Sequence, residues 1–260
     1  MPYISKEGLS YGIWSCVTRL YADNPFEHCY LLYDLIYELE RSDFIFNFDD
    51  ELKGYILVYK GLKTPSIHVF GEIDADLLLN VIKSLGQQTL VHIPEENADI
   101  VKAMDVKYSI VGWFLTMAVD ADSFNPVSSD ARILGKADLE EYIKLNRSRD
   151  VEISEDEALK VIEKFRYYGL YVGNMLVSIA NAYLRLPEVW IVGDVYTHPE
   201  HRGRGYASAV TSKVTEDAIR AGARAMLHVD ERNEAAVRVY RKLGYKELTR
   251  KLWLRVDPST

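Results

Sequence analysis

The sequence predicts two α/β domains in tandem, each with strands joined through helices on the faces of a mixed sheet. Three observations carry this. The chain has 260 residues, which at roughly 100 to 200 residues per domain accommodates two small domains. Its 48% hydrophobic and 27% charged residues match an ordinary globular protein with enough apolar side chain to bury a core. The stretch Asp120-Ala121-Asp122-Ser123-Phe124-Asn125-Pro126-Val127-Ser128-Ser129-Asp130 has neither helical nor strand periodicity and contains a proline. It marks a break between a smaller α/β domain over 1–122 and a second over 130–260.

In the second domain Ala131 to Leu134 reads as a short strand and Ala137 to Asn146 as a helix with Leu139, Tyr142 and Ile143 on its apolar face. Ser154 and Glu157 form a capping box for a second helix, which Gly169 is expected to end. Leu170 to Val172 and Met175 to Leu184 follow as strands, with Gly173-Asn174 as a tight hairpin turn. Val189 to Tyr196 is a strand, and Gly205 to Ala221 is a helix stopped by Gly222. Ala225 to Val229, Glu234 to Leu243 and Tyr245 to Val256 complete the order as strand, helix and strand.

The first domain has a similar rhythm. Phe26 to Leu39, Asp74 to Leu85 and Ala98 to Met104 read as helices. Phe44 to Phe48, Tyr55 to Tyr59, Ser66 to Phe70, Thr89 to Ile93 and Tyr108 to Val119 read as strands. No residue-level repeat is visible, so the duplicate is inferred from element order alone.

Several function classes are excluded or disfavoured. No segment approaches the roughly 20 apolar residues of a membrane helix. The start, Met1-Pro2-Tyr3-Ile4-Ser5-Lys6-Glu7, lacks the basic and apolar regions of a secretory signal, so a cytoplasmic protein is expected. Cys16 and Cys29 have no zinc-like spacing to a histidine, and no metal is expected. A formal net charge of -8 argues against binding nucleic acid through phosphate neutralisation.

The chemistry begins at Arg202-Gly203-Arg204-Gly205-Tyr206-Ala207, between a strand and a helix. Glycines there let backbone N–H groups converge, and the helix start adds roughly half a positive charge. Such a turn suits a phosphate or pyrophosphate, and Arg202 and Arg204 add charge beside it. Taken alone, it is equally an ordinary loop with solvated arginines. It lacks the Lys-Ser/Thr of a nucleotide-hydrolysing loop.

The segment from Val195 to Ala207 resembles the R/Q-x-x-G-x-G/A motif of the GNAT superfamily with its preceding strand. Asn233-Glu234-Ala235-Ala236-Val237-Arg238-Val239-Tyr240-Arg241-Lys242-Leu243-Gly244-Tyr245 resembles that family's N-x-x-A-x-x-x-Y-x-x-x-G-F/Y signature. The resemblance covers Ala131 to Val256 and implies a mixed central sheet of GNAT type, with the first domain as a degenerate duplicate. It further implies N-acetyl transfer from acetyl-CoA to a primary amine, by direct attack in a ternary complex. A non-catalytic acyl-CoA sensor or scaffold is the alternative. The phosphate arm would rest on Arg202, Gly203, Arg204, Gly205, Tyr206, Ala207 and Ser208. The pantetheine arm would lie along Val195, Tyr196 and Thr197, with Asn233 capping its helix or touching the cofactor.

Tyr240 would be the general acid for the departing thiolate. With 18 tyrosines in the chain, a plain core role would be the reading without that resemblance. Many relatives place a glutamate base where this chain has Ile191, which cannot take a proton. Asp194, His198, Glu188 and His228 are the candidates, with Asp194 carried forward as the base. Strand alternation puts Asp194 opposite Ile191 unless a bulge intervenes. Where a duplicate would need a phosphate turn, the first domain has Gly71-Glu72-Ile73-Asp74-Ala75-Asp76, whose carboxylates repel pyrophosphate.

Overall fold

A computed structural model of the chain describes residues 3–5 and 8–258. It divides into two compact units, Met1–Thr116 with Leu248–Thr260, and Met117–Glu247. Where the sequence suggests a domain over 130–260, residues 248–260 cluster with the first unit.

The first unit runs β1 (Tyr3–Ser5), α1 (Tyr11–Asp23), α2 (Pro25–Tyr37), β2 (Ser42–Asp49), β3 (Glu51–Tyr59), β4 (Ser66–Gly71), α3 (Ala75–Ser84), β5 (Thr89–Pro94), α4 (Ile100–Ala103) and β6 (Lys107–Val119). Helix α1 has no counterpart in the sequence reading; Ser10 caps it and Ile13, Cys16, Val17 and Tyr21 are its buried positions. Strands β2, β3 and β4 are successive antiparallel neighbours, and β4 pairs parallel with β5. The next neighbour of β5 is the last strand of the chain, β12 (Lys246–Asp257), antiparallel with Leu252 opposite Ile93 and Leu254 opposite Val91. Leu252, Leu254 and Val256 enter the core made with Ile67, Val69, Leu78 and Ile82. A second cluster joins Ile13, Val17, Leu31 and Leu35 of α1 and α2 to Phe44, Phe46, Tyr55 and Leu57 of β2 and β3.

The second unit repeats the order: β7 (Arg132–Ile133), α5 (Leu139–Arg147), α6 (Glu155–Phe165), β8 (Tyr167–Val172), β9 (Met175–Arg185), β10 (Val189–Thr197), α7 (Tyr206–Arg220), β11 (Arg224–Asp230) and α8 (Glu234–Lys242). Both units therefore pass through strand, two helices, three strands, helix, strand, helix. Strands β7 to β10 are antiparallel neighbours, and β10 pairs parallel with β11. Helices α5 and α6 bury Tyr142, Ile143, Ala158 and Ile162 against Tyr167, Leu176 and Ile179. Helix α7 packs on β8, β9 and β10 and buries Ala209, Val210, Val214 and Ala218.

The capping box of Ser154 and Glu157 forms as expected. The end of α6 does not. Arg166, at φ 38°, makes the left-handed exit, and Gly169 lies inside β8. A Cβ on Gly169 would fall 2.6 Å from both Leu134 and Leu176, so that glycine serves close packing. Among the described residues no helix is long and apolar enough to cross a membrane.

Candidate active site

Strand β10 ends at Thr197, and a short turn over Pro199–His201 leads to the glycines before α7. Gly203 and Gly205 take φ of 76° and 81°, left-handed values that favour glycine. A Cβ at either position would meet nothing within 4 Å, so backbone conformation and not crowding selects glycine here. As the N-cap of α7, Gly205 brings no side chain to the helix start. The first N–H groups of the helix, at Tyr206, Ala207 and Ser208, are left for an anion. Arg202 stands over the Tyr196 ring at 5.8 Å and donates through Nε to the Thr197 carbonyl at 3.1 Å. Arg204 is exposed.

The equivalent turn of the first unit is closed. Asp74 caps α3, its Oδ1 accepting from the Leu77 N–H at 2.9 Å. A helix start that carries its own carboxylate has both its donor and its local field already satisfied.

Beside the open turn, β10 separates from β11. The parallel ladder covers only Val189, Trp190 and Ile191 against Arg224, Ala225 and Met226, while β10 continues to Thr197. The edge of Val195, Tyr196 and Thr197 that would face β11 is therefore outside that ladder, although Tyr196 and Thr197 pair with β9 on the other side.

A bulge does intervene at Asp194. Gly193 pairs with Asn181 and Tyr196 with Ile179, leaving Asp194 and Val195 without β9 partners. Asp194 has φ 47°. Its carboxylate meets Arg149 on both oxygens, with Arg149 Nη2 to Oδ2 at 3.0 Å, and Oδ2 also accepts from the Tyr167 hydroxyl at 2.7 Å. Burial opposes the charge on Arg149, and the hydrogen bond and charge of Asp194 more than offset it, leaving the guanidinium above its usual range. Burial, reinforced by the Asp194 charge, likewise raises the Tyr167 hydroxyl. Gly193 permits the tight approach at this point: a Cβ there would fall 2.7 Å from the Tyr183 ring.

The other base candidates are scattered. Ile191 is fully buried. Glu188 is exposed at the turn before β10, and His228 is half-buried on β11. His198 accepts through Nδ1 from the Glu200 N–H at a long 3.4 Å.

Tyr240 lies on α8, the helix that follows β11 and contacts α7. It is buried, and burial alone pushes its hydroxyl up to about 12, with no charge or hydrogen bond from a described residue contributing. The neighbouring Tyr245 hydroxyl is by contrast bonded to Thr215 Oγ1 at 2.7 Å. Asn233 caps α8, its Oδ1 accepting from the Ala236 N–H at 3.1 Å. Arg149 and Tyr167 carry no recognisable spacing to Asp194 in the sequence, and only the fold brings them to it.

Residues 167–254 match the family of FR47-like proteins. No curated protein matches the chain. Solved structures share the fold across nearly its whole length. A Drosophila protein aligns at TM-score 0.74 and 11% identity, covering 97% of this chain and 98% of its own. A GNAT-family acetyltransferase from Colwellia psychrerythraea aligns at TM-score 0.60 and 14% identity, covering 99% and 100%. A tandem GNAT protein from the clavulanic acid biosynthesis pathway aligns at TM-score 0.56 and 14% identity, covering 84% and 83%. The protein thus has the mixed α/β fold of GNAT acetyltransferases, and its C-terminal region carries the GNAT-related FR47-like match.

Proposed function

We propose that the protein is an N-acyltransferase that moves an acetyl group from acetyl-CoA to a primary amine, using the site of the second unit. The observation that carries this reading is the uncapped start of α7 beside a strand that has parted from its parallel neighbour. The first feature suits the pyrophosphate of CoA, and the second suits an extended arm adding to a strand edge. Arg202 and Arg204 supply charge for the phosphates, and Asn233 orders the start of the helix that carries Tyr240.

In the reaction the amine nitrogen attacks the thioester carbonyl, a C–N bond forms, and the C–S bond breaks as CoA leaves. Tyr240 donates a hydrogen bond to the sulfur as it gains charge. Complete transfer from a hydroxyl at about 12 to a thiolate whose acid lies near 8.5 is uphill by roughly 5 kcal/mol, so donation is partial in the transition state. The amine loses its proton to water. This suits an α-amine, about a tenth neutral at pH 7, better than a lysine side chain, which is neutral about once in several thousand molecules. A hydroxyl that no described residue hydrogen-bonds is available to the leaving sulfur, which favours turnover over a purely sensing role.

Two measurements test the reading. Calorimetry with acetyl-CoA is expected to show binding, and thiol release across a panel of amines is expected to find an acceptor. A folded protein with no heat and no thermal shift at millimolar acetyl-CoA removes the basis for it.

A further inference from the structure

At the bulge, β10 has left the ladder on one side and lost register on the other. Pairing with β11 ends at Ile191, and Asp194 and Val195 lack β9 partners. Asp194 also holds a left-handed backbone conformation that is uncommon for residues with a side chain. A strand segment with so little ladder needs side chains to keep its shape.

Arg149, just past the end of α5, supplies them. Its planar fork meets both oxygens of Asp194, and its Nε and Nη2 donate to Asn146 Oδ1 at 3.0 and 2.6 Å. Asn146 is itself fixed through Nδ2 to the Tyr142 carbonyl at 2.9 Å. The face of the guanidinium lies 5.1 Å from the Tyr196 ring, whose hydroxyl reaches Ser148 Oγ at 3.0 Å and the Ser148 carbonyl at 3.1 Å. The end of α5 is therefore tied to β10 on the bulge itself and again two residues later. Three donors occupy the Asp194 carboxylate, a poor arrangement for a group that must accept a proton from an amine.

We propose that Arg149 is a positioning residue for acyl transfer: by clamping Asp194 it holds the β10 bulge in the shape that receives the acyl group, and Asp194 serves this clamp instead of acting as the base. The proposal rests on the placement of acyl-CoA along β10 given above. Arg149 touches the strand and not the reacting atoms. A lysine cannot replace it, since one ammonium does not reproduce a fork that spans two carboxylate oxygens.

CoA and acetyl-CoA share the phosphate and pantetheine arms and differ only at the acetyl group, so the ratio of their affinities reports on the seat of the acetyl group and cancels contacts at the turn. Both ligands are titrated by calorimetry into the wild-type chain, Arg149→Met, Arg149→Lys, Asp194→Asn and the Arg149→Met/Asp194→Asn double variant, with a melting curve for each. CoA affinity is expected to stay within about twofold throughout. The preference for acetyl-CoA is expected to fall about fivefold in Arg149→Met, by the same factor in Asp194→Asn, and no further in the double variant, because either change opens one clamp. Arg149→Lys is expected to recover only part of the loss, and it carries the test if Arg149→Met does not fold. An unchanged ratio, an equal loss for both ligands or additive losses in the double variant each overturn the proposal. If the wild-type chain binds neither ligand, the placement of acyl-CoA fails instead.

Discussion

Replacing Tyr240 by phenylalanine removes one hydroxyl and almost no volume, and the structure makes the two consequences separable. Because no described residue hydrogen-bonds the hydroxyl and its oxygen is not among the buried unpartnered atoms, its loss breaks no protein hydrogen bond, and stability should stay within ~1 kcal/mol. Turnover should fall by ~10²-fold, about 2.7 kcal/mol of transition-state stabilisation, if the hydroxyl donates to the leaving sulfur. Affinity for acetyl-CoA should change by no more than about twofold, since the interaction strengthens only as sulfur gains charge. Since burial holds the hydroxyl at about 12, it stays protonated across the usual assay range and should add no falling limb to the rate below about pH 11. The assay is thiol release with acetyl-CoA and the accepting amine, run beside calorimetry and thermal melting on the same preparation. Full turnover in a folded Tyr240→Phe protein refutes the role of this residue as the acid.

Gly205→Ala and Gly205→Glu both place a side chain at φ 81° and should each lose ~1–2 kcal/mol of stability, with space for the Cβ in both. Only the glutamate puts a carboxylate at the proposed phosphate site, so it should weaken acetyl-CoA by about 100-fold or more while alanine stays within about tenfold; equal losses by calorimetry would assign the effect to backbone strain. Acetyl-CoA should bind at one site per chain, because Asp74 closes the corresponding helix start of the first unit; a fitted stoichiometry of two contradicts this. Burial, with the charge of Lys251 adding, lowers His28 from its ordinary 6.5 to about 4. The unfolded chain takes up that proton near 6.5 and the folded one only near 4, so stability is complete above the window and falls by ~3 kcal/mol as pH drops through it. Denaturant melts of His28→Gln between pH 7 and 4 should show a shallower loss than the wild type, and an identical slope would place the titration elsewhere.

Elements whose signals are local were legible before the structure. Ser154 and Glu157 cap α6, Gly173 takes the turn between β8 and β9, and Asn233 caps α8, each through bonds within a few residues. Where two local rules competed, sequence could not choose. Gly169 was expected to end α6, but crowding by Leu134 and Leu176 claims it for the middle of a strand, and Arg166 takes the left-handed exit. Helix α1 carries little local signal, because Gly12 and Thr18 weaken its propensity and its buried positions gain their meaning only against β2 and β3.

The sequence by itself determined the glycine turn before α7, the place of Tyr240 on α8 and the α/β order of the second half, because a turn, a cap or a helical face is encoded in contiguous residues. Tertiary structure alone decided two things. One is the docking of β12 beside β5: alternating Leu252, Leu254 and Val256 fit the interior of any sheet, and periodicity names a buried face without naming its partner. The other is the surroundings of Asp194. A bulge changes which face a side chain meets, and Arg149 and Tyr167, 45 and 27 residues away in sequence, reach that carboxylate only after the sheet and α5 have packed.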